Sequence, residues 1–311
     1  MKNFWEKIEK PILALAPMAG FTDFAFREIC AKFGADAVYS EMANVTALSH
    51  QPGKTLEMLG NKHREAFYVV QLFGSAPEEF RSAVKKVEKE IKPDGIDINF
   101  GCPVPKVMKV KAGAELMKDL ELARRVIEET IKATKLPVSV KIRTRAGRVG
   151  ALDFLEKIKD LEIKAVMIHG RTLSQGFQGE IDTKTIKDFK KKFSGAVLAN
   201  GGINSPEKGR EILKQTGADG LGIARGALGN PKIFSEIKNN QTIKINKEDI
   251  SQTALKHARL AYREKGDRGI VEMRKHLCWY VQGLSGAKAL RQELVQAKTL
   301  KDIKCILRPR V

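Results

Sequence analysis

The chain has 311 residues, and 42% of them are hydrophobic, enough for one large domain with a sizeable core and a second, smaller one. Its 56 Lys and Arg exceed its 37 Asp and Glu, so the net charge of +19 predicts a polyanionic partner, most simply nucleic acid. The alternative is a lysine-rich composition that only aids solubility. Every apolar run is shorter than the ~18 residues of a membrane helix, and the charged start lacks the apolar core of a signal peptide. We therefore expect a cytoplasmic protein with no membrane partner.

The cysteines argue against metal clusters and disulfides. They are far apart and show neither paired metal-ligand spacing nor a disulfide framework: Cys30, Cys102, Cys278 and Cys305. We expect a protein without a bound metal, and we expect it to act as a monomer.

Short apolar runs rich in β-branched residues recur along the chain and predict eight strands. The runs are Ile12–Ala16, Ala37–Glu41, Tyr68–Phe73, Ile96–Phe100, Val138–Arg143, Ala165–His169, Ala196–Asn200 and Gly220–Ala224. Helical spacing fills the segments between them, as in Pro77–Ile91, Leu120–Ala133, Leu152–Leu161, Thr183–Phe193 and Ser205–Thr216. Eight strand–helix units of about 30 residues predict a (β/α)₈ TIM barrel. A doubly wound parallel sheet is the alternative fold.

The pattern changes near residue 240, where the glycine-punctuated strands stop and helical spacing continues. We therefore expect two domains, a barrel over residues 1–240 and an all-α helical domain over residues 241–311. Four segments of the second domain have helical spacing: Ile250–Ala261, Ile270–Val281, Ala287–Val295 and Leu300–Leu307. This domain has 16 Lys or Arg against 7 Asp or Glu, a net charge of +9, which predicts a docking surface for a large anionic partner.

Polar side chains and glycines cluster where the predicted strands end, which is the active-site face of a barrel. In the segment Gly95–Pro103, Gly101 breaks the strand, so Cys102 would lie just past its carboxyl end. A buried structural thiol is the alternative role for Cys102. The other polar residues at strand ends are Gln71, Asn99, Lys141, His169 and Asn200.

Two glycine-bearing loops follow the last two strands, at Asn200-Gly201-Gly202 and at Ala224-Arg225-Gly226. Barrels commonly bind phosphate at this position, because backbone N–H groups and a helix N-terminus can both point at the anion. The loops therefore predict a phosphate-bearing cofactor or substrate. Lys141 would place a positive charge against an anionic ring, and Gln71 could hydrogen-bond a flat heterocycle.

The ordered set of motifs resembles that of the tRNA-dihydrouridine synthases, and the resemblance extends over both predicted domains. Its main motifs are Ala16-Pro17-Met18-Ala19-Gly20-Phe21-Thr22-Asp23, Gln71-Leu72-Phe73-Gly74, Asp97-Ile98-Asn99-Phe100-Gly101-Cys102-Pro103, Val140-Lys141-Ile142-Arg143, Ile168-His169-Gly170-Arg171-Thr172, Ala199-Asn200-Gly201-Gly202-Ile203 and Arg274-Lys275-His276. The segments Val104-Pro105 and Thr144–Gly150 depart from the family pattern, as does Ala224 where glycine is common.

The resemblance implies an FMN enzyme that reduces the C5–C6 double bond of particular uridines in tRNA, with NADPH or NADH as reductant. It implies Cys102 as the proton donor to C5. The cofactor-binding residues that it implies are Pro17, Met18, Ala19, Gln71, Asn99, Lys141, His169, Asn200, Gly201, Gly202, Ala224 and Arg225.

The chemistry of the reaction agrees with a thiol in this position. Hydride transfer to C6 of uracil leaves negative charge at C5 and O4, which an acid near C5 must quench. A thiol is mostly protonated at neutral pH and can supply that proton. A uracil removed from its stack also needs compensating contacts. The candidate tRNA-binding residues are Lys106, Lys109, Arg145, Arg148, Arg171, Arg274 and Lys275.

Two other functions compete with this one. The first is a flavin barrel acting on a free small molecule, such as a dihydroorotate dehydrogenase or an ene-reductase, which leaves the basic helical domain unexplained. The second is a non-catalytic RNA-binding barrel, which explains the charge but not Cys102, Lys141 and the two phosphate loops together.

Overall fold

The computed structural model describes residues 3–60, 66–242 and 246–307, and its central element is a closed barrel of eight parallel strands. We label these strands β1 to β8. They are β1 (Ile12–Leu15), β2 (Ala37–Tyr39), β3 (Phe67–Phe73), β4 (Gly95–Asn99), β5 (Val138–Arg143), β6 (Ile163–His169), β7 (Ala196–Asn200) and β8 (Gly220–Ile223).

Each strand pairs with its sequence neighbours, and the ring closes where β1 pairs with β8. Ile12 is opposite Gly220 in that pairing, and Ala14 is opposite both Gly222 on β8 and Ala37 on β2. The doubly wound alternative was wrong, because an open sheet would leave two unpaired edges. A short strand at Ala43–Asn44 extends the sheet beside β3, and a hairpin joins Arg145–Ala146 to Val149–Gly150.

The strands lie within two residues of the predicted bounds at every end. Their predictability has a physical cause, since a parallel strand that is covered on both faces is buried along its length and is therefore rich in apolar residues. β4 and β8 are buried at every position, and β6 is buried at all but one.

Helices surround the barrel and continue beyond it. In the described part of the chain they are α1 (Phe24–Lys32), α2 (Val45–His50), α3 (Gly53–Leu59), α4 (Pro77–Glu90), α5 (Pro105–Lys109), α6 (Leu120–Ala133), α7 (Ala151–Ile158), α8 (Thr183–Lys192), α9 (Pro206–Thr216), α10 (Ile233–Lys238), α11 (Lys247–Tyr280), α12 (Ala287–Leu294) and α13 (Leu300–Ile306). Ser205 caps α9, because its Oγ accepts a hydrogen bond from the Lys208 N–H at 3.2 Å. Among the described residues, none of the helices is both long and apolar enough to cross a bilayer.

Aromatic side chains from the N-terminal segment close the amino end of the barrel. Phe4 stacks on Phe67, with ring centroids 4.6 Å apart, and Trp5 lies against Tyr39. Phe4 and Trp5 are almost fully buried and share a core cluster with interior residues of β1 and β7. Because apolar side chains fill this end, a polar site would have to lie at the opposite end of the barrel, where the strands have their carboxyl ends.

The C-terminal helices pack onto α1 and share its core. α11 turns back on itself at Gly266, whose φ of 58° and ψ of −144° are not helical. Its two halves correspond to the two predicted helical segments, and the turn brings His257 beside His276. Buried residues of both halves, such as Ala258 and Leu277, belong to the same apolar cluster as Phe26 of α1.

Candidate active site

Five of the predicted site residues meet at the carboxyl rim of the barrel. Asn99, His169 and Asn200 are the last residues of their strands, and Gln71 and Lys141 lie two positions before the ends of theirs. Strand register places Asn99 opposite Lys141 and Asn200 opposite His169. The polar groups that are scattered over 130 positions of sequence (71 to 200) therefore line one cup.

A row of hydrogen bonds forms the floor of this cup. Ser139 Oγ donates to Asp97 Oδ1 at 2.7 Å, and Gln71 Nε2 donates to Asp97 Oδ2 at 2.7 Å. Asn99 Nδ2 then donates to Gln71 Oε1 at 2.8 Å. Burial raises the pKa of Asp97 to about 6, and the bonds from Gln71 and Ser139 and the charge of Lys141 act in the opposite direction. The carboxylate is therefore ionised at neutral pH.

Cys102 is half-buried, three residues past the end of β4. Its backbone N–H donates to Asn99 Oδ1 at 2.9 Å, and the Gly101 N–H donates to the same oxygen at 3.0 Å. Burial raises the pKa of the thiol above its ordinary value, although a backbone N–H at Val104 and nearby cationic side chains oppose this effect. The thiol is protonated at neutral pH and is suited to act as an acid.

Lys141 carries the positive charge nearest the middle of the cup. Its Nζ donates to Asn200 Oδ1 at 2.9 Å, and Asn200 Nδ2 donates to the Gly222 carbonyl at 2.6 Å. Burial lowers the pKa of Lys141 to about 8, and the charge of Arg143 adds to that effect. The ammonium is therefore cationic at pH 7 but loses its proton more readily than an exposed lysine does.

His169 is an uncharged imidazole at physiological pH. Its pKa is lowered to about 2, chiefly by burial and in addition by four neighbouring cationic side chains, beginning with Lys141. Its ring lies against the loop after β7, because a Cβ on Gly201 would be only 2.6 Å from His169 Cδ2. Gly201 also has a φ of +102°, so this position requires glycine for two reasons.

The two glycine-bearing loops adjoin each other. A Cβ on Gly226 would lie 2.2 Å from the Ile203 carbonyl oxygen, so the loop after β8 touches the loop after β7. The N-terminus of α9 follows the first of these loops. Ala224 follows β8 and caps a short 3₁₀ helix that begins at Arg225, and the Arg225 side chain is exposed. The arrangement presents backbone and a helix N-terminus together, as anion binding requires.

A family model described as dihydrouridine synthase matches residues 14–308. The chain belongs to the dihydrouridine synthase family. It is therefore an oxidoreductase, and membership implies a flavin cofactor and a nicotinamide reductant as the general chemistry.

Members of the dihydrouridine synthase family from several bacteria match nearly the whole chain. The chain is 37% identical over 289 residues to tRNA-dihydrouridine synthase B of Pseudomonas syringae pv. tomato, covering 90% of this chain and 85% of that one. It is 36% identical over 303 residues to a probable tRNA-dihydrouridine synthase of Helicobacter pylori, covering 94% and 90% of the two chains.

Solved structures resemble the dihydrouridine synthase chain in fold alone. An old yellow enzyme homologue from Zymomonas mobilis has a TM-score of 0.53 and 12% identity, over 75% of this chain and 90% of that one. Histamine dehydrogenase from Rhizobium sp. 4-9 has a TM-score of 0.57 and 13% identity, over 81% of this chain and 49% of that one.

In this dihydrouridine synthase, the loops after β1 and β2 lie side by side at the rim. The turn that contains Pro17, Met18 and Ala19 is closed by Thr22, whose Oγ accepts from the Met18 N–H at 3.2 Å. The Gly20 N–H donates to the Glu41 carboxylate, which joins the two loops. Ala19 is exposed, whereas Pro17 and Met18 are half-buried.

Sequence reasoning missed Arg143 and Phe177 of the dihydrouridine synthase site. Buried Arg143 donates from Nε to the Gly101 carbonyl at 2.7 Å and from Nη1 to the Thr172 and Gly176 carbonyls at 2.9 Å each. It therefore ties the loop of Cys102 to the loop after β6. Arg143 follows Lys141 by two positions and so shares its face of β5, which was an available signal. Phe177 is 56% exposed and lies beside Arg143 and Arg225. Nothing in the sequence pattern indicated that Phe177 belongs to the site.

The predicted tRNA-binding residues of this dihydrouridine synthase have different environments. Four are exposed near the rim, on α5 and the hairpin after β5: Lys106, Lys109, Arg145 and Arg148. Arg171 is 9% exposed and donates from Nε to the Gly179 carbonyl at 2.8 Å. Arg274 donates from Nε to the Ala297 carbonyl at 2.7 Å, whereas Lys275 lies over the Phe21 ring. Arg171 and Arg274 thus have structural contacts, and their contact with tRNA stays a prediction.

A buried cluster joins the two halves of α11 to α1. One ring nitrogen each of His257 and His276 and one carboxylate oxygen of Asp23 lie within 4.8 Å of one another. Phe26 packs on both imidazoles. His257 Nδ1 lies 3.2 Å from the Tyr280 hydroxyl, while His257 Nε2 and both His276 nitrogens have no hydrogen-bond partner within the described part of the chain. Burial lowers the pKa of His257 to about 4 and that of His276 well below its ordinary value, so both rings are neutral at pH 7.

Proposed function

We propose that this chain is an FMN-dependent tRNA-dihydrouridine synthase that reduces the C5–C6 double bond of particular uridines in tRNA. NADPH or NADH would supply the electrons, and the enzyme would act in the cytoplasm as a monomer. The single observation that carries the proposal is the protonated thiol of Cys102 at the rim of a cup lined by Lys141, His169 and two adjoining glycine-bearing loops. The names of the two bacterial relatives support tRNA as the substrate.

The residues present fit a flavin mononucleotide. Gly201 and Gly202 have no side chains, so their backbone N–H groups could approach the FMN phosphate, and the N-terminus of α9 follows them. Cationic Lys141 suits the electron-rich edge of the ring, and neutral His169 suits a polar edge beside it. The residues that would hold the cofactor are Pro17, Met18, Ala19, Gln71, Asn99, Lys141, His169, Asn200, Gly201, Gly202, Ala224 and Arg225.

When bound, the flavin would supply the hydride that uracil accepts at C6. Cys102 would then donate its thiol proton to C5, because that carbon becomes basic as the double bond is reduced. The raised pKa of Cys102 keeps the proton available at neutral pH. Asn99 and Arg143 hold the backbone on both sides of the thiol, since they bond the Cys102 N–H and the Gly101 carbonyl.

The basic C-terminal region would form the tRNA-binding domain, with residues 241–311 as its bounds. A flipped uracil loses stacking energy of a few kcal/mol, and phosphate contacts made elsewhere must compensate for that loss. Lys106, Lys109, Arg145 and Arg148 lie near the rim, and Lys275 lies on the helical side of it.

Single-turnover kinetics of Cys102→Ala test the proposal. The purified variant should be yellow and should accept hydride from NADPH at the wild-type rate, because neither property needs a proton at C5. Oxidation of the prereduced variant by unmodified tRNA should slow about 10²–10⁴-fold, the usual contribution of a general acid. Dihydrouridine would be quantified in the same tRNA.

Cys305→Ala is the matched control, since Cys305 is an exposed thiol on α13. It should leave both half-reactions at wild-type rates. A colourless wild-type protein, or dihydrouridine formed by Cys102→Ala at the wild-type rate, would overturn the proposed function or the proposed acid respectively.

A further inference from the structure

Three polar side chains form one row across neighbouring strands in the floor of the cup. Gln71 on β3 is opposite Asp97 on β4, and Asp97 is opposite Ser139 on β5. All three are 1% exposed or less, in a barrel interior that is otherwise mostly apolar. A buried carboxylate costs free energy unless it is fully hydrogen-bonded, so its retention here calls for an explanation.

The hydrogen bonds of this row all point toward Asp97. A carboxylate can only accept, so Asp97 requires the NH₂ group of Gln71 on its side. The Gln71 carbonyl oxygen is thereby turned toward Asn99, and it requires the NH₂ group of Asn99. The remaining oxygen of Asn99 then faces the backbone N–H groups of Gly101 and Cys102.

The charge of one residue therefore fixes the orientation of two amides. An amide alone can present either its oxygen or its NH₂ group, and only the oxygen of Asn99 can hold the Cys102 N–H. If Asn99 were reversed, its NH₂ group would face two backbone N–H groups, and both would lose their acceptor. Such a loss is costly for groups partly withdrawn from water.

We propose that Asp97 is a positioning residue, which fixes the backbone at Cys102 by orienting Gln71 and Asn99 in series. The inference rests on the proposed function, because it gives Asp97 the role of holding the proposed proton donor, Cys102, in a fixed position relative to the substrate. Asp97 itself lies in the floor of the cup, and its hydrogen bonds go to Gln71 and Ser139 and not to Cys102. Its effect passes through three successive hydrogen bonds of 2.7, 2.8 and 2.9 Å.

Asp97→Asn tests this role with almost no change in shape. The neutral amide can present either of its atoms to Gln71, so the direction of the row is no longer imposed. We expect hydrogen exchange of the Gly101 and Cys102 amides to accelerate about tenfold, which corresponds to the loss of one hydrogen bond. Mass spectrometry of a peptide spanning residues 100–104 of the full purified chain would measure it. Gln71→Met, which removes the middle of the row, should have the same effect.

Asp219→Asn is the matched control. Asp219 is also buried and also accepts from a backbone N–H, that of Val197 at 2.8 Å, but it lies beside the amino end of β8. The control should leave exchange in residues 100–104 within about twofold of wild type, even where it lowers stability. Equal acceleration in Asp219→Asn would mean general loosening and would overturn the inference. So would unchanged exchange in both Asp97→Asn and Gln71→Met.

Exchange needs neither tRNA nor turnover, so the two proposals can fail separately. A wild-type chain that forms no dihydrouridine, but whose loop loosens in Asp97→Asn, would contradict the proposed function alone. An active wild-type chain whose loop is unaffected in Asp97→Asn would contradict the positioning role alone.

Discussion

The buried pair His257 and His276 should make the protein lose stability as the pH falls below about 6.5. Both imidazoles are neutral in the folded chain, because burial lowers their pKa values. The Asp23 carboxylate opposes this effect at His257, whereas the nearby cation Lys275 adds to it at both rings. In the unfolded chain a histidine binds a proton near its ordinary pKa of 6.5. The unfolded state therefore binds more protons than the folded state at mildly acid pH, and stability must fall there.

The magnitude follows from the lowered pKa of His257 alone. That pKa falls from 6.5 to about 4, and a tenfold change in proton affinity corresponds to about 1.4 kcal/mol. The loss should be small at pH 7, reach about 2 kcal/mol at pH 5 and approach about 3 kcal/mol near pH 4. His276 should add to this loss, since its pKa is also lowered.

Urea unfolding of wild type and His257→Gln between pH 8 and pH 5 would measure the effect. The variant should be less stable at pH 8 but should lose about 2 kcal/mol less than wild type over that range. His50→Gln is the control, since the His50 side chain is 71% exposed, and it should keep the wild-type pH dependence. Equal pH dependence in wild type and His257→Gln would refute the reasoning.

Two further predictions concern the Cys102 loop and the first half of α11. Gly113 and Gly217 have φ values of +62° and +63°, so alanine at either position should lower the free energy of unfolding by about 1 kcal/mol. Only Gly113→Ala would also place a Cβ close to another group, 2.8 Å from the Cys102 carbonyl oxygen. Urea unfolding should therefore show a further loss of about 1–3 kcal/mol for Gly113→Ala, and dihydrouridine formation should slow in that variant only. Three exposed cations follow one face of the first half of α11: Lys256, Arg259 and Arg263. Replacing all three by Gln should weaken tRNA binding and reduce its log–log salt slope by about 2–3, and an unchanged slope would exclude this face from the contact.

The barrel could be predicted from the sequence because its strands are short runs rich in apolar and β-branched residues. Ala196–Asn200 and Val138–Arg143 were predicted to the residue, since each is a short run rich in apolar residues between helical segments. The site residues at strand ends followed from the same argument, because parallel strands share one carboxyl rim. Their roles toward a cofactor stay predictions.

What could not be predicted depends on contacts between distant segments. Asp97 was visible as a charge within an apolar strand, but the direction of its hydrogen bonds needs the register of β3 and β5. His257 and His276 are 19 positions apart and meet only because α11 reverses at Gly266. The limit of the helical domain at residue 240 also stays a prediction, since α11 shares a core with α1.

The closure of the ring between β1 and β8 imposes an order on folding. Ala14 pairs with Ala37, 23 positions later, whereas Ile12 pairs with Gly220, 208 positions later. Closing the longer loop costs about 2 kcal/mol more in chain entropy, so the pairing of β1 with β8 should form last. During synthesis the row of Gln71, Asp97 and Ser139 can assemble before the chain beyond β7 exists. The two glycine-bearing loops cannot, so in a nascent chain the row below the Cys102 loop should form before the proposed phosphate site exists.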